Sequence, residues 1–585
     1  MKHLMIFAVG PVQDFIATAR RSRDLWYGSW MLSELSKAAA AQFPPEALIF
    51  PSPTGPQALK PGSDFNVPNK IVAILDHNPS STGEEIRSAI LKRLGELWED
   101  AHGKIEGKIK EKLAKDQITD LPEFYWVSVS YDDAAGGSYA KARATAEALL
   151  AARKTTRDFK QAIGDHSPKS SLDGARESVI EESEYPRPGA AERVERAKKL
   201  YRNYHARQGE RLSAVDLLKR LGGGQHVEKF KSTSHMAALP FLKKLGPERT
   251  KALMADLRAL FDKPDWKDMN IGETDDGALL FESRLVEGIP SGPEQDALRK
   301  EFNQVLEKHL KTDRPDPYYA LLAADGDNMG VVIDAQADAA KHRALSQAMS
   351  RFAAEVQGIV ERNNGVPIYS GGDDVLAYLP LHTVLNCAAE LEQAFKKHLP
   401  EKDFSAQKNG ETVSPTLSIG IVIAHHLEPL ADVLELAREA EKEAKKVDPI
   451  KKNGLAVTLR KRGGADRTVS GQWGILDARL ETLIRVYSTK AISAGTAYEL
   501  QELHRVLSKA GVPANGQAKE AVRIVKRKKK SGGEVKVKQK TLDAFEQWIA
   551  KDILPLDELS KEMIIAGMFA GASGTGESKE EEVAQ

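Results

Sequence analysis

The sequence predicts an α+β protein organised around a strand, a helix and a hairpin, and three observations predict it. The first is Gly365–Pro380, GVPIYSGGDDVLAYLP, in which apolar runs Val366–Tyr369 and Val375–Leu379 flank Ser370-Gly371-Gly372-Asp373-Asp374, the pattern of a β-hairpin. The second is Tyr318–Ala324, an apolar run that empties into Asp325-Gly326-Asp327-Asn328-Met329-Gly330. The third is Lys341–Arg362, where Leu345, Met349, Phe352, Val356 and Ile359 recur at helical spacing. Strand, helix and hairpin make the first half of a βαββαβ unit, which sets the strand end beside the hairpin tip.

Each further element has its own signal. Leu4–Val9 is an apolar strand running into Gly10-Pro11, and Ala134–Arg220 reads as charged helices with Pro and Gly breaks. The second half of the βαββαβ unit follows the hairpin. Leu381–Leu399 is a helix with Val384, Cys387, Ala388, Leu391 and Phe395 inward, Pro415–Ala424 a strand, Leu430–Lys446 a helix and Gly454–Leu459 a closing strand. Gly471–Ala510 and Leu542–Met568 read as amphipathic helices. Between them, Lys526–Lys530 before Ser531-Gly532-Gly533 is either a solvated loop or a grip for a phosphate backbone. The tail, Gly571–Gln585, is Gly/Ser-rich then Glu-rich and is expected to be disordered.

A chain of 585 residues has room for several domains. Lys+Arg and Asp+Glu are both 84, so any nucleic-acid surface must be local. A single cysteine excludes a disulfide framework and a cysteine-based metal site, and Cys387, on an apolar helix face, reads as core. The N-terminus is too short for a signal peptide and no run of eighteen apolar residues occurs, so a cytoplasmic protein with no membrane partner is expected.

Adjacent carboxylates at a hairpin tip repel, and burial favours them only with a cation between them; the plain alternative is a solvated turn. Beside a strand ending in Asp325, Asp373 and Asp374 would form a hard oxygen site for Mg²⁺ or Mn²⁺. Asp327 is a further candidate ligand that strand alternation would turn away. Lys445 and Lys446 end a helix near this edge, placed either for a triphosphate or for the helix dipole.

Together the motifs DGDNMG, SGGDD, TLSIGIVIA and AEKEAKK…KNGLAV resemble the palm domain shared by diguanylate cyclases and the polymerase-like CRISPR proteins. The cyclases carry GGDEF or GGEEF, whereas GGDD followed by Val375 points to the CRISPR branch. The segment Gly10-Pro11-Val12-Gln13-Asp14-Phe15-Ile16, with Ala19–Ser29 (ARRSRDLWYGS), resembles the N-terminal signature of the large subunit of type III-B (Cmr) CRISPR effector complexes, and similarity extends to about residue 470. The resemblance implies an α+β fold with two ferredoxin-like, nucleotidyl-cyclase-like palm domains and interspersed and C-terminal helical domains. The expected division is 1–160, a degenerate first palm; 161–310, helical with a lost zinc finger; 311–465, the catalytic palm; 466–570, helical; and 571–585, the tail. Asn66–Leu75 and Phe124–Val129 fit as further strands of the first palm.

That first palm has Val9-Gly10 where the second has Asp325-Gly326, and it lacks a GGDD hairpin, so it cannot supply metal carboxylates. It has room for a second nucleotide, with Arg20, Arg21 and Arg23 as phosphate partners or, alternatively, as an interdomain salt-bridged cluster. Relatives carry paired CxxC motifs where this chain has Ser170-Ser171-Leu172-Asp173 and Ser213-Ala214-Val215-Asp216. Hydroxyls and carboxylates replace thiolates poorly around Zn²⁺, so no zinc is expected, with hydrogen bonding in its place. No histidine is followed by aspartate and the chain opens on the first palm, so no HD nuclease is expected.

The implied activity is polymerisation of ATP into cyclic oligoadenylates when a guide RNA captures target RNA, in a complex with the other Cmr subunits. Asp325, Asp373 and Asp374 are the expected catalytic residues, holding two Mg²⁺ or Mn²⁺ with Asp327. Gly326, Ser370, Gly371, Gly372 and Lys445 are expected to meet the nucleotide. An idle scaffold, a stand-alone dinucleotide cyclase and a synthase joining AMP to S-adenosylmethionine are the alternatives.

Overall fold

The structure, a computed structural model, describes residues 2–53, 55–132, 138–156, 166–187, 189, 192–223, 230–264, 276–285, 292–527, 537–551 and 553–573. Two sheets organise it. The first is built from β1 (Lys2–Gly10), β2 (Leu48–Phe50), β3 (Lys70–Leu75) and β4 (Glu123–Tyr131), with α1 (Ser22–Ala40) between β1 and β2 and α2 (Pro79–His102) between β3 and β4. Its order is β2-β3-β1-β4, antiparallel throughout. Helices α3 (Ser138–Thr155) and α4 (Ala214–Leu221) pack beside it.

The second sheet runs through β5 (Tyr318–Asp327), α5 (Ala339–Arg362), β6 (Val366–Gly371), β7 (Asp374–Leu379), α6 (Val384–His398), the small ribbon β8 (Ala406–Lys408) and β9 (Glu411–Val413), β10 (Thr416–His425), α7 (Leu430–Lys446), β11 (Gly454–Leu459) and β12 (Arg467–Gln472). Its order is β12-β11-β10-β5-β7-β6, with β10 and β11 parallel and the other pairs antiparallel. Setting aside the ribbon and the two added strands, both sheets place their strands fourth, first, third, second: one ferredoxin-like topology, used twice.

The sequence accounts for these elements locally. β1, β5 and β10 lie inside their sheets with both faces covered, so they read as continuous apolar runs rather than as alternation. Helix α2 opens with Asn78 accepting the Ser80 amide and Pro79 in the first turn, and α5 with Asp338 accepting the Lys341 amide. Cys387 is fully buried among Leu391, Phe395 and Phe352.

Packing redraws two of the expected boundaries. The stretch 161–310 does not form one helical unit: Val179, Tyr185, Leu200 and Leu212 join the core of the first sheet, whereas Met236, Leu257, Phe281 and Phe302 cover the second. The second palm continues past 465, because β12 pairs with β11 and the helices that follow share its core through Leu480, Phe545 and Met563. Helix structure runs on to Ser573, into the expected tail, while 574–585 lie outside the described residues, as do 528–530 of the basic run. Among the described residues no helix is long and apolar enough to cross a membrane.

The palms meet along α5. Arg343 donates to the carbonyls of Glu46 and Leu48, the Ser52 amide donates to Ser346 Oγ at 2.9 Å, and the Tyr139 hydroxyl lies 2.8 Å from His342 Nδ1. On the neighbouring helix, Arg143 donates to the carbonyls of Ile333 and Asp334. The helix beneath the hairpin is thus clamped by the first palm.

Candidate active site

The hairpin closes on a two-residue turn: Gly371 faces Asp374, and Gly372 sits at φ +71°, a left-handed conformation that glycine adopts without strain. A Cβ on Gly326 would lie 2.7 Å from Asp373 Cβ, and one on Gly371 would lie 2.0 Å from the Tyr369 hydroxyl. Only glycine lets the end of β5 and the hairpin tip touch, which places Asp325, Asp373 and Asp374 together at one sheet edge.

The electrostatics of the trio are those of crowded carboxylates. Burial, then the neighbouring Asp325, pushes Asp373 well above the ordinary range. Desolvation of its carboxyl, then the hydrogen bond shared with Asp325 and the charge of Asp373, raise Asp374 as well, although the residue as a whole is exposed. Asp325 goes the other way: the bond from Asp374 and the Lys445 ammonium outweigh its desolvation and hold it low. Lys445 also pairs with Glu441 at 2.6 Å, so its charge is strongly favoured.

Among the described residues no group of three or more His, Cys, Asp or Glu side chains is arranged as a ready metal site. The donor set nevertheless fits a hard divalent ion: three carboxylates crowd a glycine-lined edge, two of them favour protonation for want of positive charge, and a lysine ammonium stands in as counter-ion.

The other expected residues are placed less uniformly. Ser370 is 5% exposed and donates to the Ala353 carbonyl of α5, which props the hairpin rather than facing a ligand. Asp327 is fully buried, and its Oδ2 accepts bonds from Thr416, Ser418 and the Asn453 amide. Strand alternation is not what turns it aside, since residues two apart share a face; hydroxyls on β10 draw it across the sheet.

The arginines expected at a phosphate are committed elsewhere. Arg20 donates to the Ser171 carbonyl, Arg21 to that of His205 and Arg23 to that of Gly222. They surround fully buried Arg220, which bridges Asp24 at 2.9 Å and Glu210 at 2.8 Å, while the half-exposed Arg20 lies 3.7 Å from Glu210, the salt-bridged alternative of the sequence reading. The two SxxD segments do converge: Ser170 and Ser213 hydroxyls each donate to Asp216 Oδ2 at 2.7 Å, and Asp216 caps α4 in a capping box with Ser213.

Two features escape the sequence. Lys452, at φ +57°, brings its ammonium within 4.0 Å of Asp327 Oδ1 and helps depress Asp325; the left-handed Lys-Asn pair before Gly454 is the signal that marks it. A crevice beside Gly372 is lined from the first palm by Phe50, Asp64, Phe65 and Asn66 and from the second by Met349 and Ser350. It joins segments so distant in the chain that no local pattern reveals it.

Two ferredoxin-like sheets, one with a carboxylate-bearing hairpin against a strand ending in aspartate, define a palm protein of the nucleotidyl-cyclase type. Residues 318–456 match the family Cas10/Cmr2, second palm domain, and residues 4–103 match CRISPR-associated protein Cmr2, N-terminal. Both matched models describe domains of Cas10/Cmr2 proteins, and they fall on the two palms of this chain. It is similar to the CRISPR system Cmr subunit Cmr2 of Pyrococcus furiosus, at 26% identity over 548 residues covering 79% of this chain; it spans 62% of that relative's length. Its fold also matches type III-B Cmr-beta determined by cryo-EM in the apo state, with a TM-score of 0.64 and 16% identity over 98% of this chain and 82% of the other. The match to type III-B Cmr-beta bound to cognate target RNA has a TM-score of 0.63 and 16% identity over 98% and 83%.

Proposed function

We propose that the second palm is a nucleotidyltransferase that converts ATP to cyclic oligoadenylates, and that the chain does this in the cytoplasm as a subunit of an RNA-guided Cmr complex responding to target RNA. The observation that carries the proposal is the contact between Gly326 and Asp373, which joins two separate carboxylate motifs at one edge. Asp325, Asp373 and Asp374 would hold the divalent ions, whose chemistry there would be to acidify a ribose 3′-hydroxyl and to balance charge on a departing pyrophosphate. Gly326, Gly371 and Gly372 leave backbone free for sugar and phosphates to approach, and Ser370 fixes the hairpin on α5.

Lys445, which pairs with Asp325 in the metal-free fold, would be free to meet the polyphosphate if cations took its place, and Lys452 adds positive charge near Asp327. The narrow crevice beside Gly372, where Phe50 and Phe65 offer apolar surface and Asn66 a side-chain amide, would have to widen to admit a second nucleotide. Arg20, Arg21 and Arg23 each already donate to a backbone carbonyl on the first-palm side.

Mass spectrometry of products from the assembled complex given ATP, Mg²⁺ and target RNA, with and without S-adenosylmethionine, tests the reading. Cyclic oligoadenylates that depend on target RNA are expected. A product containing S-adenosylmethionine would move the assignment to the AMP-transferring relatives, and the absence of any nucleotide product would leave a scaffold.

A further inference from the structure

We infer that Asp327 is a positioning residue and not a metal ligand: it pins the turn after α7, and so holds Lys445 and Lys452 over the carboxylate trio. Where it concerns nucleotide, this rests on the proposed function.

The pin is a set of bonds between the strand ends and residues 451–454. Asp327 Oδ2 accepts from Thr416 Oγ1 at 2.9 Å, Ser418 Oγ at 2.7 Å and the Asn453 amide at 3.1 Å. Thr416 Oγ1 also reaches the Lys451 carbonyl, and Ser418 Oγ accepts the Gly454 amide at 3.2 Å. The turn needs such an anchor. Lys452 and Asn453 both lie in the left-handed region, at φ +57° and +55°, which residues with side chains hold only when their surroundings enforce it.

What the turn carries is the end of α7. A Cβ on Gly454 would lie 2.0 Å from the Ala444 carbonyl oxygen, and one on Gly420 would lie 2.3 Å from the Glu441 amide nitrogen. The last turn of α7 therefore rests on bare backbone of β10 and β11, and a shift at Asn453-Gly454 moves Glu441 and Lys445 with it. Lys445 reaches Asp325 from that turn.

A ligand role suits Asp327 badly. One carboxylate oxygen already accepts three bonds. The other, buried and without a hydrogen bond, has the Lys452 ammonium as its nearest charge partner at 4.0 Å.

The two roles separate by substitution in the full-length protein. Asp327→Asn keeps a carbonyl oxygen for the three donors but weakens any metal bond, whereas Asp327→Ala removes both. Hydrogen exchange of the Asn453 and Gly454 amides reads the pin directly: exchange at least about tenfold faster is expected in Asp327→Ala and near wild-type exchange in Asp327→Asn. Mn²⁺ binding followed by electron paramagnetic resonance should be near wild type in Asp327→Asn and lost in Asp325→Asn. Binding of a non-hydrolysable ATP analogue with Mg²⁺ should weaken about tenfold in Asp327→Ala, as expected for misplaced charge partners.

Unchanged exchange at Asn453 and Gly454 in Asp327→Ala overturns the inference, and so does Mn²⁺ loss in Asp327→Asn matching that of Asp325→Asn. If the wild-type protein bound neither Mn²⁺ nor the analogue, the proposed function would fall, and the exchange comparison would still decide whether Asp327 pins the turn.

Discussion

The two palms share a strand order and part company at their strand ends. β1 runs out in Val9-Gly10, and β2 and β3 are joined by the long connection 51–69; β5 runs out in Asp325-Gly326, and β6 and β7 are joined by Gly372 and Asp373 alone. Their charged residues differ in the same way. In the first palm buried Arg220 bridges Asp24 and Glu210, and buried Lys219 donates to the Phe15 and Thr18 carbonyls. The second palm sets three carboxylates against one another with Lys445 as the nearest relief. One arrangement stabilises a domain, and the other is unfavourable until something positive binds; a shared fold does not carry a shared function.

The largest contrast should come from the charges themselves. Asp373→Ala with Asp374→Ala is expected to lower nucleotide synthesis by at least about 10²–10³, the typical cost of one lost charge-stabilising group. Its thermal unfolding should be unchanged or slightly improved, because two crowded carboxylates are gone. Rate and melting temperature measured on the same preparation check this. The mirror-image change lies in the first palm: Arg220→Ala leaves two buried carboxylates without their partner and should cost about 3–5 kcal/mol in denaturant unfolding. Whatever fraction stays folded should bind Mn²⁺ like wild type.

The paired glycines sharpen the comparison. Gly326→Ala drives a methyl into Asp373 Cβ at 2.7 Å and should cost about 1–3 kcal/mol together with most of the synthesis. Gly10→Ala meets only the flexible end of Glu123, at 3.3 Å, and should be within about 0.5 kcal/mol of wild type. Equal effects at the two glycines would erase the asymmetry.

The smallest effect is a pH dependence of metal binding at the second palm. Asp373 and Asp374 have raised pKa values in the metal-free fold, so they contribute stability below the unfolded carboxylate value of about 4 that is lost as pH rises through their folded values. Divalent ions must displace those protons, so Mn²⁺ affinity should increase as pH rises from the carboxylate range toward neutrality. Calorimetry in buffers of different ionisation enthalpy should register proton release, which ought to disappear in the Asp373/Asp374 double variant.

Local chemistry made the second palm legible. A buried strand ending in DGD, a helix at three-four spacing and a glycine-pair hairpin each carry their own signal, and β5, α5, β6 and β7 lie where those signals put them. The SxxD segments were also readable as a hydrogen-bonded replacement, and Ser170 and Asp216 do meet. Less was visible wherever the outcome depended on distant partners. Arg20, Arg21 and Arg23 look like a phosphate site in one dimension, but residues 171–222 supply the carbonyls that occupy them. Asp327 shares a motif with Asp325, and Thr416 and Ser418, far along the chain, decide its orientation. β2 is only three residues long, too short for a periodic signal, yet its edge carries the clamp on α5.

The central claim is that the second palm supplies the metal carboxylates and the lysine that meets the polyphosphate. Anomalous diffraction from crystals of the full-length protein grown with Mn²⁺ and a non-hydrolysable ATP analogue tests it most directly. The account predicts Mn²⁺ peaks among Asp325, Asp373 and Asp374, with Lys445 drawn off Asp325 onto the polyphosphate. Peaks in the first palm, or an analogue bound while Lys445 still pairs with Asp325, would contradict it.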